Sequence, residues 1–289
     1  MGQYVFINIP AISLLEFHPF SISSSPLDPY TSCHIKSMGK NTFTDNLLLY
    51  AKDLYSKEQE FKSTAKKNDG DNQSLSMQRI YANILVNVDG PYGMPFDYRK
   101  FTSILLVCGG IGITPLHGIF RTLLLMFGEG TSTGTATADL ESVGDSAGGV
   151  NSSSGSSSKT MLLKVRLIWG IRATEMPLLF SDTFRRALAS KPGSGSRGGE
   201  AVSFELEVFC STSTTPHCVP AATIENPNPL PVCALTQGRF DLAKEVQALS
   251  EFGGEAPLVF VCGPGPMVQQ ASSLSLKYGV PFHEETFLL

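Results

Sequence analysis

Val107-Cys-Gly-Gly-Ile-Gly-Ile-Thr-Pro-Leu-His-Gly-Ile-Phe120 is the stretch whose reading decides the fold. The apolar run Ile104, Leu105, Leu106, Val107 enters it as a buried strand would. Gly109, Gly110 and Gly112 then make a tight turn free of side chains, Thr114 is placed to cap a helix, and Pro115 suits that helix's first turn. The amides of such a strand–turn–helix point at whatever lies before the helix and favour an anion, typically a phosphate. Pro115 stands where the common dinucleotide fingerprint has a third Gly or Ala, so this is a variant of that pattern.

Working outward, Cys262-Gly263-Pro264-Gly265-Pro266 repeats the arrangement after the apolar run Leu258–Val261. A turn that merely needs Gly and Pro would read the same way. Trp169-Gly170-Ile171-Arg172 ends another apolar run, and an Arg just past a strand can pair with phosphate through its planar fork. Arg239, after Gly238, is a second such residue; for both, a solvated surface Arg is the plain alternative. Strands are expected at Ile104–Cys108, Leu162–Trp169, Ser203–Phe209, Leu258–Cys262 and Val280–His283. Helices are expected at Pro115–Phe127, Pro177–Ala189, Leu242–Phe252 and Pro266–Tyr278. This alternation implies a doubly wound parallel α/β sheet over residues 100–289, with ligands at the carboxyl ends of its strands. Three segments read as Gly/Ser- or Thr/Pro/Asn-rich insertions: 128–158, 191–199 and 211–231.

Residues 1–99 read differently. Strand-like runs at Tyr4–Ile9, Ser32–Lys36 and Ile80–Val88, punctuated by Pro19, Pro26, Pro29, Pro91 and Gly93, suit a small antiparallel β-barrel. Lys52–Gln78 is polar, helical at most in its first half. His18-Pro19-Phe20-Ser21-Ile22-Ser23-Ser24-Ser25-Pro26 sets hydroxyls beside a ring and an imidazole, which can bond the edge of a flat heterocycle and cover its face. On spacing alone it is equally a turn between barrel strands. His34-Ile35-Lys36 puts two potentially cationic side chains on one side of an expected strand.

Composition narrows the classes. The 289 residues carry a formal net charge of -4 and 42% hydrophobic residues, which fits packed domains and argues against a nucleic-acid binder. No uninterrupted apolar run reaches the roughly 18 residues of a membrane span, and no basic segment precedes the first apolar run as in a signal peptide. The six cysteines form no Cys-x-x-Cys pair, so free thiols are expected. Cys210, His217, Cys218 and Cys233 lack zinc-like spacing, and no metal is assigned.

Taken in order, His-Pro-Phe-Ser, His-Ile-Lys, Asp-Gly-Pro-Tyr-Gly, Gly-Gly-Ile-Gly-Ile-Thr-Pro, Trp-Gly-Ile-Arg, Cys-Gly-Pro and a terminal Phe resemble the dehydrogenase portion of the ferric-chelate reductase / NADPH oxidase superfamily, from Gly2 to Phe287. The resemblance implies a ferredoxin-reductase-like fold with FAD and NADPH as cofactors. It implies that His18, Pro19, Phe20 and Ser21 hold the flavin, with the Ser21 hydroxyl near its reactive edge, and that His34 and Lys36 help bind FAD phosphate or adenine. It implies further that Gly109, Gly110, Gly112, Thr114 and Pro115 cradle the NADPH pyrophosphate, that Arg172 reads the 2′-phosphate, and that Arg239 is a second cofactor-phosphate candidate. Cys262, Gly263 and Pro264 are then expected beside the nicotinamide, and Phe287 over the flavin. Hydride passes from NADPH to FAD and single electrons go on to a haem-bearing membrane domain missing from this chain, on the cytosolic face of a membrane. Cytosolic regulatory proteins are the other expected partners.

His-Pro-Phe-Ser-Ile-Ser-Ser-Ser-Pro and Asp-Gly-Pro-Tyr-Gly look closer to ferric-chelate reductases than to superoxide-producing oxidases. Two departures stand out. The resemblance implies earlier barrel strands, so the flavin barrel is expected to be partial, with an exposed strand edge. Phe240 stands where relatives usually carry Pro after Gly-Arg, which weakens the transfer to Arg239. A soluble flavin reductase and a remnant that has lost FAD are the competing readings.

Overall fold

The computed structural model describes residues 2–65, 84–128, 162–172, 176–190, 202–212, 218–220, 231–252 and 256–285. They form two compact units: Gln3–Ile22 with Cys33–Met94, and Ser23–Ser32 with Pro95–Leu289 and the first two residues. The cluster His18–Pro26 is therefore divided, His18–Ile22 in the smaller unit and Ser23 onward in the larger.

In the smaller unit, β1 (Tyr4–Asn8) is flanked antiparallel by β2 (His18–Ser21) and β3 (Asn87–Tyr92). The expected antiparallel region is thus a small three-stranded sheet, and all six residues of β3 are exposed. Gly90, at φ 129°, is required there, because a Cβ would lie 3.3 Å from the Tyr4 carbonyl oxygen. Helix α1 (Phe43–Ala65) begins earlier than the polar stretch Lys52–Gln78 suggests. Ser32–Lys36 does not form the expected strand. The Ser32 backbone is instead bonded to the serine loop: its carbonyl accepts from the Ser23 amide at 2.8 Å and the Ser23 hydroxyl at 2.9 Å, and its amide donates to Ser24 Oγ at 3.0 Å. Of the expected strand Ile80–Val88, only Asn87 and Val88 lie in β3; residues 80–83 fall outside the described residues.

The larger unit carries a seven-stranded sheet in the order β10-β9-β4-β5-β6-β8-β7. Six strands are parallel: β4 (Ser103–Gly109), β5 (Lys164–Ile171), β6 (Ser203–Cys210), β8 (Pro231–Gln237), β9 (Pro257–Cys262) and β10 (Phe282–Glu284). β7 (Cys218–Pro220) pairs antiparallel with β8 at the edge. Strand alternation splits the core in two. Ile104, Leu106 and Cys108 face one cluster with Leu258, Phe260 and Cys262, while Leu105 and Val107 face the other with Val259 and Val261. Helices α2 (Ile113–Phe127) and α3 (Ser181–Ala189) cover the first face; α4 (Leu242–Glu251) and α5 (Gly265–Tyr278) cover the second. Gly110–Phe127 has a mean hydropathy of 1.3 over 18 residues, and 67% of it is buried, so the core accounts for its apolar character.

The expected strands and helices of this unit are present, with two additions. β7 and the first residue of β8 lie in 211–231, expected as a loop. β7 is three residues long and β8 opens on Pro231 after a Pro/Asn-rich stretch, so neither stands out as a strand, and the neighbouring ladder of β6 recruits β8. Of the other two expected insertions, residues 129–158 and 191–199 lie outside the described residues.

A polar seam lines α2. Arg121 clamps Asp28 with Nε and Nη2, at 2.7–2.9 Å, and its Nη1 donates to Asp182 and to the Thr183 hydroxyl at 2.8 Å. His117 Nδ1 lies 2.6 Å from the Ser23 carbonyl and Nε2 lies 2.9 Å from Thr183 Oγ1. A carbonyl can only accept, so Nδ1 carries a proton. The Thr122 hydroxyl lies 2.9 Å from Ser25 Oγ. The segment Ser23–Ser32 is thus fixed to α2 by charge-assisted and buried hydrogen bonds rather than by apolar packing.

Burial raises the Asp28 pKa, but bonds from Arg121 and the Ser25 amide outweigh it, so the net shift is downward. Asp28→Asn should therefore cost about 3 kcal/mol at neutral pH, the scale of breaking a buried pair by removing one partner. The folded pKa lies below the unfolded one, so this stability is full above about pH 4 and is lost as acid protonates the folded carboxylate. Urea unfolding of both proteins across pH should show a constant gap that closes only in acid; a gap that widens in acid would refute the assignment.

Candidate functional site

β4 is the strand at which the chain's direction across the sheet reverses, since β5 lies on one side of it and β9 on the other. Crevices at such switch points, at carboxyl strand ends, are where open α/β sheets bind ligands. Both glycine turns fall there. Cys108 pairs with Cys262 between β4 and β9, and Gly109 pairs with Gly170 between β4 and β5.

The glycines serve different ends. A Cβ on Gly112 would overlap the Cys262 carbonyl, and one on Gly109 would lie 2.7 Å from Pro264 Cδ. One on Gly263 would lie 3.0 Å from the Gly109 nitrogen. These three allow the two turns to touch backbone to backbone. Gly110 differs: its φ is 55° and a Cβ there would meet nothing within 4 Å. Its carbonyl accepts the indole N–H of fully buried Trp169 at 2.8 Å. In a trans peptide the C=O and the following N–H point oppositely, so the Ile111 amide is turned away from Trp169. The turn Gly110–Gly112 is 3₁₀ and leads straight into α2, so its leading amides have no intrahelical acceptors. A negatively charged phosphate fits this place, and a side chain on Gly110 would fill it.

Thr114 does not cap the helix. Gly112 is the cap residue, and the Thr114 hydroxyl donates to the Ile111 carbonyl at 3.1 Å. The helix starts two residues earlier than expected because the 3₁₀ turn feeds it, leaving Pro115 in its first turn. Arg172 and Arg239 follow β5 and β8, and both are exposed. The Arg172 carbonyl accepts from the Thr212 hydroxyl and the Cys210 thiol, which ties the end of β5 to that of β6.

Cys262 is fully buried. Burial, helped by Glu285, pushes its thiol pKa up to about 12, so it is a neutral thiol at physiological pH. Glu285 is itself held above the usual carboxylate range by burial, and its amide donates to the Val261 carbonyl at 2.9 Å. It went unnoticed in the sequence because the last strand is short and one Glu of three residues with charge or imidazole carries no pattern. Phe287 lies outside the described residues.

In the smaller unit, His18 stacks on Phe43 with centroids 4.3 Å apart, and Phe20 lies 6.3 Å from the same ring. Pro19 is exposed, while Phe20 and Ser21 are half-buried. Among the described residues Ser21 Oγ makes no hydrogen bond. In the larger unit, the hydroxyls of Ser23, Ser24 and Ser25 are spent on Ser32, Leu27 and Thr122. Ser21 is thus the serine of that cluster left for a ligand. His34 is half-buried and burial lowers its pKa, whereas Lys36 is exposed. At neutral pH Lys36 supplies the positive charge of the pair. Half-exposed aromatic surface, an uncommitted hydroxyl and a lysine are groups that fit a flavin nucleotide.

Residues 1–96 match the model of an FAD-binding domain, and residues 101–276 match that of the ferric reductase NAD binding domain. Respiratory burst oxidase homolog protein A of Solanum tuberosum is 36% identical over 165 residues, 57% of this chain and 16% of that protein. Respiratory burst oxidase homolog protein B of Arabidopsis thaliana is 41% identical over 124 residues, 43% of this chain and 14% of that protein. The chain thus spans less than a fifth of the length of these relatives. The flavohem-like FAD/NAD binding domain of nitric oxide dioxygenase from Vibrio cholerae O1 biovar El Tor superposes with a TM-score of 0.51, at 15% identity, over 99% of this chain and 84% of that one. That likeness concerns the fold, which is ferredoxin-reductase-like.

Gly112→Ala should lower stability by about 2 kcal/mol, the scale of overpacking a tight contact, and weaken NAD(P)H binding with it. Trp169→Phe keeps most of the ring and removes one hydrogen bond, so it should cost about 1 kcal/mol and also weaken the nucleotide. Urea unfolding beside calorimetric titration with NADPH checks both. Unchanged affinity in both variants would remove the phosphate cradle.

Proposed function

Because the chain belongs to the ferric reductase NAD-binding domain family, matched over residues 101–276, we propose that it is the dehydrogenase module of a larger membrane oxidase, with residues 1–99 serving the flavin and 100–289 serving NADPH. It is an oxidoreductase module with FAD- and NAD(P)-binding domains. FAD, when bound, supplies the conversion of a two-electron hydride donor into single electrons, which go from this module, on the cytosolic face of a membrane, to a haem-bearing membrane domain.

The carrying observation is the Gly110–Gly112 turn at the β4/β9 switch point, open beside Gly110 and braced by Trp169. Its amides hold the NADPH pyrophosphate. Arg172 and Arg239 lie past other carboxyl strand ends of the same sheet edge, where the 2′-phosphate can meet a guanidinium fork. Cys262, Gly263 and Pro264 form the wall beside the nicotinamide through backbone and a neutral thiol, so they shape the site and exclude water without proton transfer. Ser21, with His18, Pro19 and Phe20 behind it, holds the flavin edge, Lys36 with His34 serves a flavin phosphate, and Phe287 covers the flavin ring. No side-chain acid or base is needed for hydride transfer; alignment is the protein's work.

The names of the relatives favour molecular oxygen as the final acceptor over the ferric-chelate branch to which the motif wording leaned. Cytosolic regulatory partners remain part of this reading.

Anaerobic titration of the FAD-reconstituted chain should bleach the flavin rapidly with NADPH and slowly with NADH. Arg172→Ala should raise the NADPH requirement about tenfold or more and leave NADH nearly unchanged, the scale of one charged hydrogen bond. Equal losses for both nucleotides would refute Arg172 as selector, and a chain that binds nucleotide but never retains FAD would refute the dehydrogenase activity of this chain alone.

A further inference from the structure

Between β1 and β2 the chain makes a loop, Ile9 to Phe17, that is braced at its base and bare at its tip. Asn8, the last residue of β1, is 1% exposed, and its whole side chain serves that brace. Its Nδ2 donates to the Ser13 and Glu16 carbonyls, both at 2.8 Å, and its Oδ1 accepts from Asn87 Nδ2 at 2.9 Å. Buried Ile9 offers its carbonyl to the amides of Ile12 at 2.8 Å and Ser13 at 3.0 Å. One buried amide thus pinches the loop on either side of Leu14 and Leu15. These leucines are 78% and 89% exposed, and Phe17 is 46% exposed.

A slack loop could fold such side chains back onto the protein. This one would first have to break the bonds of a buried amide, which holds the leucines in water. The register that aligns Asn8 with Asn87 brings the lead-in to β3 to the same end of the sheet, where Leu85 and Val86 are exposed as well. Apolar surface gathered in this way marks a contact with something apolar. Its form and charge say what. Two consecutive leucines that are almost wholly exposed make a projection, not a face. Fluid acyl chains close around a projection, whereas a protein must present a socket cut to it. No lysine or arginine precedes Lys36, and Glu16 is the one acidic residue of the loop, so there is no positive charge here to meet an anionic surface.

We propose that Leu14 and Leu15, with Phe17 at their base, are a wedge that enters the headgroup–acyl boundary of a zwitterionic lipid bilayer. The inference rests on the membrane placement proposed above. A wedge of two leucines and part of a ring buries less than one acyl anchor does, so its contact is weak and reversible. It orients the module and leaves anchoring to other parts of a larger protein. Phe17 is followed at once by His18, so the wedge turns the strand that carries Ser21 toward the bilayer, the side on which a haem-bearing acceptor lies.

The test uses the whole chain and vesicles of phosphatidylcholine alone or mixed with phosphatidylserine, in low and high salt. Flotation should show binding to both vesicles alike, unchanged by salt. Leu14→Ser and Leu15→Ser should each weaken it about tenfold. Trp169 is the one tryptophan of the chain and is fully buried, so in Leu15→Trp a new blue shift on adding vesicles reports insertion at the tip. The double serine variant, freed of vesicles, should bleach its flavin with NADPH as the unaltered chain does, since neither leucine touches the cofactor residues. Binding that needs phosphatidylserine, serine variants that float as well as the unaltered chain, or no flotation at all would overturn the wedge. So would leucines that instead hold two copies of the chain together, seen as a dimer by sedimentation that the double variant dissolves. A chain that floats through its leucines but is never reduced by NADPH keeps the wedge and loses the dehydrogenase reading.

Discussion

No Cβ fits between the two turns that close β4 and β9. The Cys262 carbonyl sits where a side chain on Gly112 would be, and Pro264 sits against Gly109. Everything at the carboxyl edge depends on that approach. It keeps the parallel register between Cys108 and Cys262 running to the very ends of the strands. It also sends two chain segments into helices on opposite faces of the sheet from one point, which makes the crevice. The approach consumes Gly109, Gly112 and Gly263; of the two glycines left facing open space, Gly110 and Gly265, Gly110 has its carbonyl turned inward by Trp169. A glycine-rich motif thus divides into residues that let backbones meet and a residue that leaves open space before the helix.

The same division of labour appears in the serine-rich cluster. Ser23, Ser24 and Ser25 look like ligand-binding hydroxyls in sequence, but their partners are Ser32, Leu27 and Thr122. They stitch a loop to α2, with Asp28 and Arg121 as the charged anchor. Buried polar groups must find partners, and a loop supplied with hydroxyls and one carboxylate satisfies both itself and the polar side of an otherwise apolar helix. Such a seam is directional, so it specifies one position of the loop where apolar contacts would tolerate several. Ser21, on β2, is outside this arrangement.

Much of the fold was legible. β4 and β9 read as buried strands because both faces are covered, so neither alternates in polarity. The glycine turns after them were legible for the same reason, since a turn is a local event. Less legible were β7, three residues long, and β8, which opens on Pro231; β8 forms on the open ladder of β6 and β7 on that of β8. Ser32–Lys36 erred in the opposite direction: its residues suit a strand, but the Ser32 backbone is bonded to Ser23 and Ser24 rather than to a ladder. Thr114 has the chemistry of a cap, yet the cap position went to Gly112 because the preceding turn was already helical. His34 was legible as a cation and is held toward the neutral form by burial, which no local spacing reports.

By itself the sequence determined the class: a small antiparallel sheet, a parallel sheet with helices on both faces, two glycine turns, and the residues from which a flavin and a nicotinamide nucleotide can be recognised. These follow from hydrophobic period and from local backbone freedom, both of which are written residue by residue. The tertiary structure alone decided which glycines face open space and which face a neighbouring backbone, that Trp169 holds the Gly110 carbonyl, that Cys262 is a buried neutral thiol, and that Phe240 lies against Gly170. Those are relations between segments about 60 to 150 residues apart, Trp169 with Gly110 at the near end and Gly112 with Cys262 at the far end. Periodicity places each segment in an element but does not carry the register and close packing that bring two elements within a bond's reach of each other.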